Sequence, residues 1–105
     1  MQKYIQVLTT VSKKKEAEKI ASVIILKQLG VCVQIIGPIT SVYRWNGKVE
    51  KAREFLCLIK TKKSLYKKLA KLIKELHSYE TPEIIATPII DGDKDYLRWM
   101  EQATS

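Results

Sequence analysis

Histidine occurs once in this chain, cysteine twice and arginine three times. The lone histidine, His77, has no Cys–His or Ser–His pairing in sight, so nucleophilic catalysis has little to draw on. The sequence contains no H-E-x-x-H, no C-x-x-C, no G-x-x-x-x-G-K-[ST] and no G-x-G-x-x-G. Metalloprotease, dithiol, phosphate-loop and dinucleotide chemistries lose their usual carriers with them. Asp91-Gly92-Asp93-Lys94-Asp95 has a passing likeness to a calcium loop but lacks its closing glutamate, and it reads as a turn that caps the last helix. Nothing points to an enzyme or an organic cofactor. Two cysteines cannot build a disulfide framework, and Cys32 and Cys57 fall out of register across the hairpin described below, which suits a reducing compartment. No apolar run approaches the ~20 residues of a membrane span. Met1-Gln2-Lys3-Tyr4-Ile5 shows neither the apolar core nor the small-residue cleavage site of a secretory leader. The expectation is a cytoplasmic protein with no membrane partner.

What the chain has in plenty is lysine. Sixteen of its nineteen basic residues are lysines, and the net charge is +8. Lysine supplies point charge without the planar fork that reads bases or phosphates. A Lys/Glu-rich surface of this kind is also enriched in heat-adapted proteins. No RRM-type aromatic run accompanies the basic stretch, so no nucleic-acid partner is expected. At 105 residues and 46% hydrophobic, the chain predicts one domain, 1-105, with a modest core.

Its dominant stretch is Val31 to Thr61: two apolar-rich runs joined at Asn46-Gly47, the strongest short hairpin signal, because a type I′ turn needs φ > 0 at both central residues. Each arm would reach about 14 residues, against a usual strand of about 5–6. An arm that long must have a solvated tip or meet another copy of the protein. A two-residue turn sets Trp45 opposite Lys48, and carried on unbroken it sets Cys57 opposite Ile36 and Cys32 opposite Thr61. Gly37-Pro38 interrupts the first arm and marks an edge, a bulge or a bend, since proline cannot donate to a ladder.

Around the hairpin the pattern gives a strand over Lys3–Thr9. A helix follows, with Ser12 as N-cap, Ala17, Ile20, Ala21 and Ile24 inward and Gly30 as its stop. A second helix runs over Lys62–His77 with Leu65, Leu69, Leu72, Ile73 and Leu76 on one face, lysines on the other and Ser64 as cap. A short buried strand over Ile84–Ile90 and a terminal helix from Asp95 complete the order βαββαβ plus a helix. That order is the α+β, ferredoxin-like arrangement, with both helices on one face of an antiparallel sheet.

Thr40-Ser41-Val42-Tyr43-Arg44-Trp45-Asn46-Gly47-Lys48-Val49-Glu50 resembles the T-S-x-Y-x-W-x-G-K-x-E signature of the CutA divalent-cation tolerance family. His77-Ser78-Tyr79-Glu80-Thr81-Pro82-Glu83-Ile84 resembles its H-P-Y-E-x-P-E-I, with Ser78 in place of the proline, and Asp95-Tyr96-Leu97-Arg98-Trp99 matches further on. The family's P-G before T-S is inverted here to Gly37-Pro38. The resemblance implies a cytoplasmic, non-enzymatic homotrimer similar in architecture to PII signalling proteins, its hairpin arms reaching over neighbours, and binding of copper, as Cu(II), or another divalent cation. Metal-ligand positions of some members fall here on Thr9, Leu76 and His77, so His77 is the ligand that persists. The alternative is a PII-like regulatory scaffold that binds a small anion or metabolite between subunits, in a pocket made by Tyr43, Trp45, Lys60, Tyr79 and Glu80.

Overall fold

The computed structural model describes residues 3–104. Its elements are β1 (Tyr4–Val11), α1 (Lys14–Leu26), β2 (Cys32–Trp45), β3 (Lys48–Lys62), a 3-10 turn (Lys63–Leu65), α2 (Tyr66–Leu76), β4 (Ile85–Pro88) and α3 (Lys94–Ala103). The strands form one sheet in the order β2-β3-β1-β4, every neighbouring pair antiparallel. This is the α+β, ferredoxin-like arrangement that the order of segments predicts.

Side-chain alternation in the central strands separates two sheet faces. Ile5, Val7, Thr9 and Val11 of β1 and Cys57, Ile59 and Thr61 of β3 are buried on one face. Ala17, Ile20 and Ile24 of α1 and Leu69, Leu72 and Ile73 of α2 complete that core. Each large aliphatic side chain buried there contributes roughly 1.5–3 kcal/mol. The opposite face carries Leu8, Leu56 and Leu58, all half-buried, with Ile36 and Ile85 exposed beside them. No helix lies across its centre.

The hairpin turn forms where Asn-Gly places it: Asn46 has φ 52° and Gly47 φ 76°. Trp45 pairs with Lys48 and the ladder runs without a break to Ile39 opposite Glu54. Gly37 and Pro38 then stand against Phe55 alone, a two-against-one bulge, and the pairing resumes one residue out of step at Ile36–Leu56. Cys57 therefore faces Ile35, not Ile36, and Cys32 faces Lys60, not Thr61. Both thiols are free. Gly37 is required for space: a Cβ would meet Phe55 Cδ2 at 2.5 Å and the Glu54 carbonyl at 3.1 Å. The Gly37–Pro38 peptide is cis.

Several local expectations are corrected. Neither Ser12 nor Ser64 caps a helix: α1 starts after Lys13, and the 3-10 turn leads α2 in, without side-chain caps. Helix α1 stops at Leu26, and the left-handed residue of the reversal is Gln28 (φ 58°), not Gly30. Gly30 is there for packing, since a Cβ would sit 2.9 Å from both Ile24 Cγ2 and Ile59 Cγ2. β4 is shorter than expected and wholly exposed, because it pairs only with β1 and forms a sheet edge. The expected cap at the last helix is present: the Asp93 carboxylate accepts from the Tyr96 amide at 3.1 Å.

Helix α3 is fastened by Glu101. Its carboxylate accepts from Lys62 Nζ at 2.8 Å, Lys3 Nζ at 2.7 Å and the Tyr4 hydroxyl at 3.1 Å. Lys62 Nζ also donates to the Thr104 carbonyl at 2.9 Å. These donors, Lys3 foremost, hold the Glu101 carboxyl at about 2, below its usual 4.5. A depressed carboxylate stabilises the fold fully above its unfolded value and loses that contribution as pH falls through the folded one. The clasp should therefore weaken between pH 4.5 and about 2. The protection of the α3 amides against exchange, measured by NMR relative to the intrinsic rate at each pH, should fall through that window in the wild type and already be lower at neutral pH in Glu101→Gln.

Candidate functional site

The distal hairpin, the end of β1 and the coil after α2 enclose a cleft of about 620 Å³. Thr10 of β1, Glu54 of β3 and Ser41, Tyr43 and Trp45 of β2 all lie on the sheet face opposite the core, beyond the end at which α3 is fastened. The coil contributes Tyr79, Glu80, Thr81 and Glu83. The lining thus has three aromatic rings and three carboxylates, and no lysine or arginine.

A run of internal hydrogen bonds holds the coil in place. The His77 ring is buried at the end of α2, where its backbone has left the helix (φ −77°, ψ 140°). Its Nε2 lies 2.7 Å from the Thr10 carbonyl, and Nδ1 accepts from the Tyr79 amide at 3.0 Å. A carbonyl can only accept, so Nε2 carries the proton and Nδ1 presents its lone pair. Both nitrogens are in use. The Tyr79 ring packs on the imidazole, 4.8 Å between centroids, and its hydroxyl donates to Glu54 Oε2 at 2.7 Å. Burial foremost, then the bond to Glu54, pushes the Tyr79 phenol well above its ordinary range, so it stays protonated and donating. Glu54 is 6% exposed, a carboxylate sunk into the cleft floor. Glu16 of α1 ties down the next residue, accepting from the Ser78 amide at 2.9 Å and its hydroxyl at 3.0 Å. A proline at position 78 would have no amide hydrogen to give.

Of the residues singled out from the sequence, Tyr43, Trp45, Tyr79 and Glu80 come together in this cleft. Lys60 does not. It lies on the proximal half of β3 opposite Cys32, and its ammonium bonds the Gln34 side chain. His77 lies behind the cleft wall, not in its lining. Thr10, Ser41 and Glu54 were not anticipated. Glu54 alone left a trace in the sequence, as an acid placed directly before the apolar run Phe55-Leu56-Cys57-Leu58-Ile59. Burial pushes the Cys57 thiol up to about 11, which leaves a neutral packing group and no thiolate ligand. Among the described residues no three His, Cys, Asp or Glu side chains converge as a metal site.

The fold and this sequence together match a described family: the model for "CutA1 divalent ion tolerance protein" fits residues 5–103. The chain belongs to the CutA1 family. The Thermus thermophilus divalent-cation tolerance protein CutA is 41% identical over 98 residues, covering 93% of this chain and 95% of that protein. Human protein CutA is 41% identical over 95 residues, but they make up only 53% of its length. The crystal structure of CutA1 from Oryza sativa superposes with a TM-score of 0.96 at 40% identity, covering 99% of this chain and 95% of the other. No helix among the described residues is long and apolar enough to cross a membrane.

Proposed function

We propose that this CutA1-family chain is one ferredoxin-like domain, works in the cytoplasm as a homotrimer without enzymatic activity, and takes a divalent cation at the mouth of its acidic cleft. The observation that carries the reading is the sign of that cleft. A chain of net charge +8 collects Glu54, Glu80 and Glu83 in one lining and keeps every lysine and arginine out of it. Glu80 and Glu83 are exposed at the rim, while Glu54 is engaged by Tyr79. The anion-binding alternative lacks such support, because the lysine it needs is turned away toward Gln34.

The residues of one protomer do not fit a closed copper centre. His77 would have to give up its bond to Thr10 or to Tyr79 before it could ligate, and Thr9 and Leu76 offer neither thiolate nor imidazole. Carboxylate oxygens with water, joined by groups of a second protomer at the open sheet face, suit a divalent ion better. Two free thiols and no disulfide agree with a reducing compartment.

Calorimetry with Cu(II) and Zn(II) tests the site. The wild type should show saturable binding, and Glu80→Gln/Glu83→Gln should weaken it at least about tenfold, each lost charged contact being worth roughly 1.5–3 kcal/mol. Binding that is unchanged in the double variant would remove the cleft from consideration.

A further inference from the structure

Helices α1 and α2 turn their buried residues toward the sheet, so their remaining side chains form one outer surface. With the flanking residues 13 and 27 and the 3-10 turn, that layer holds ten of the sixteen lysines, against only Glu16, Glu18 and Glu75. Nearly all of the chain's excess positive charge therefore lies on one side of the molecule. Among the described residues none of these ten lysines has a carboxylate within ion-pairing distance. Glu16, in contrast, is committed to Ser78.

Two further features give the surface a character. Leu26 is 83% exposed and Ile25 45%, both in the last turn of α1 beside Lys27. Lys15, Lys19, Ser22 and Leu26 follow one another at helical spacing, so the apolar tip extends the basic stripe. All three arginines lie elsewhere, at 44, 53 and 98, and the layer's one aromatic residue, Tyr66, packs against the core.

We propose that this helical layer docks on the anionic surface of a lipid bilayer. Lysine point charges meet anionic headgroups without any need for fork geometry, and Leu26 with Ile25 enters the interfacial region beneath them. Nucleic acid fits less well, because base reading and single-strand binding use arginine forks and exposed aromatic platforms that this face lacks. The sequence-based expectation of no membrane partner concerned spanning segments, which a peripheral contact does not require.

Sedimentation of the full-length chain with vesicles decides the matter. Vesicles of phosphatidylcholine with phosphatidylserine should carry the protein down at about 0.1 M salt and release it at about 1 M. Pure phosphatidylcholine vesicles should leave it in solution. Lys67→Gln/Lys71→Gln/Lys74→Gln should bind about a hundredfold more weakly. Leu26→Gln, which leaves the charge unaltered, should bind about tenfold more weakly. Unchanged melting temperatures would show that both variants fold. The proposal is overturned if anionic vesicles fail to bind, if neutral vesicles bind equally, or if either variant binds like the wild type. It is also overturned if an RNA oligonucleotide binds more tightly than the vesicles and is indifferent to Leu26→Gln.

Discussion

His77→Ala is expected to destabilise the protomer by about 3 kcal/mol, since it strips partners from two buried polar groups at roughly 1–3 kcal/mol each. The two groups are the Thr10 carbonyl and the Tyr79 amide, on either side of a ring that is fully enclosed. A denaturant midpoint measured at fixed protein concentration would record the loss. The damage should spread outward from there. Tyr79 would lose its anchor, and with it the alignment of its hydroxyl on Glu54. The same variant separates two roles for this residue. If the imidazole is a metal ligand, metal stoichiometry should fall while stability barely changes. If it is the internal brace that its hydrogen bonds describe, stability should fall first and metal binding should follow only as far as the cleft loosens. His77→Gln, which keeps one donor and one acceptor, should recover part of the loss.

The sequence was most informative where local chemistry dictates backbone. Asn46-Gly47 demands its turn, the leucine stripe of α2 demands a covered face, and Asp93 demands a helix start. It was least informative where a residue serves a neighbour distant in the chain. Gly30 looked like a helix stop because glycine commonly ends helices, yet its reason is room between Ile24 and Ile59. Ser12 and Ser64 have the right chemistry for caps, but the chain enters both helices by other geometry. Four of the five proposed pocket residues met in space, and Lys60 did not. Distance along the strand explains the miss: Lys60 shares the sheet face of Glu54 but lies six positions, about 20 Å, further along β3. Glu54 and Glu16 went unremarked because their partners, Tyr79 and Ser78, lie 25 and 62 residues away along the chain.

The second large effect concerns assembly. Light scattering should give three times the 12.1 kDa chain mass, and Trp45→Ala should cost the assembly far more than it costs the protomer. Val42, Tyr43, Trp45 and Val49 are 59%, 45%, 53% and 67% exposed at the hairpin tip, and Leu8, Leu56 and Leu58 lie half-covered on the open sheet face. A lone copy leaves this apolar surface in water. Truncating a central aromatic at an interface commonly costs about 2–4 kcal/mol, so dilution should dissociate the variant at a concentration at least about thirtyfold higher than the wild type. Far-UV circular dichroism of the variant should remain that of the folded protomer. A wild-type mass of 12.1 kDa at all concentrations would refute the assembly outright.

The extra residue at Gly37-Pro38 is a step that β2 takes alone, while β3 runs straight past it. Remove one residue there and Ile36–Leu56, one residue against Phe55 and Ile39–Glu54 would join as one regular ladder, with Tyr43 and Trp45 still on the face of Glu54. A single deletion at this point should thus leave the aromatic lettering of the tip legible and remove only the extra bend and twist that the bulge gives the arm.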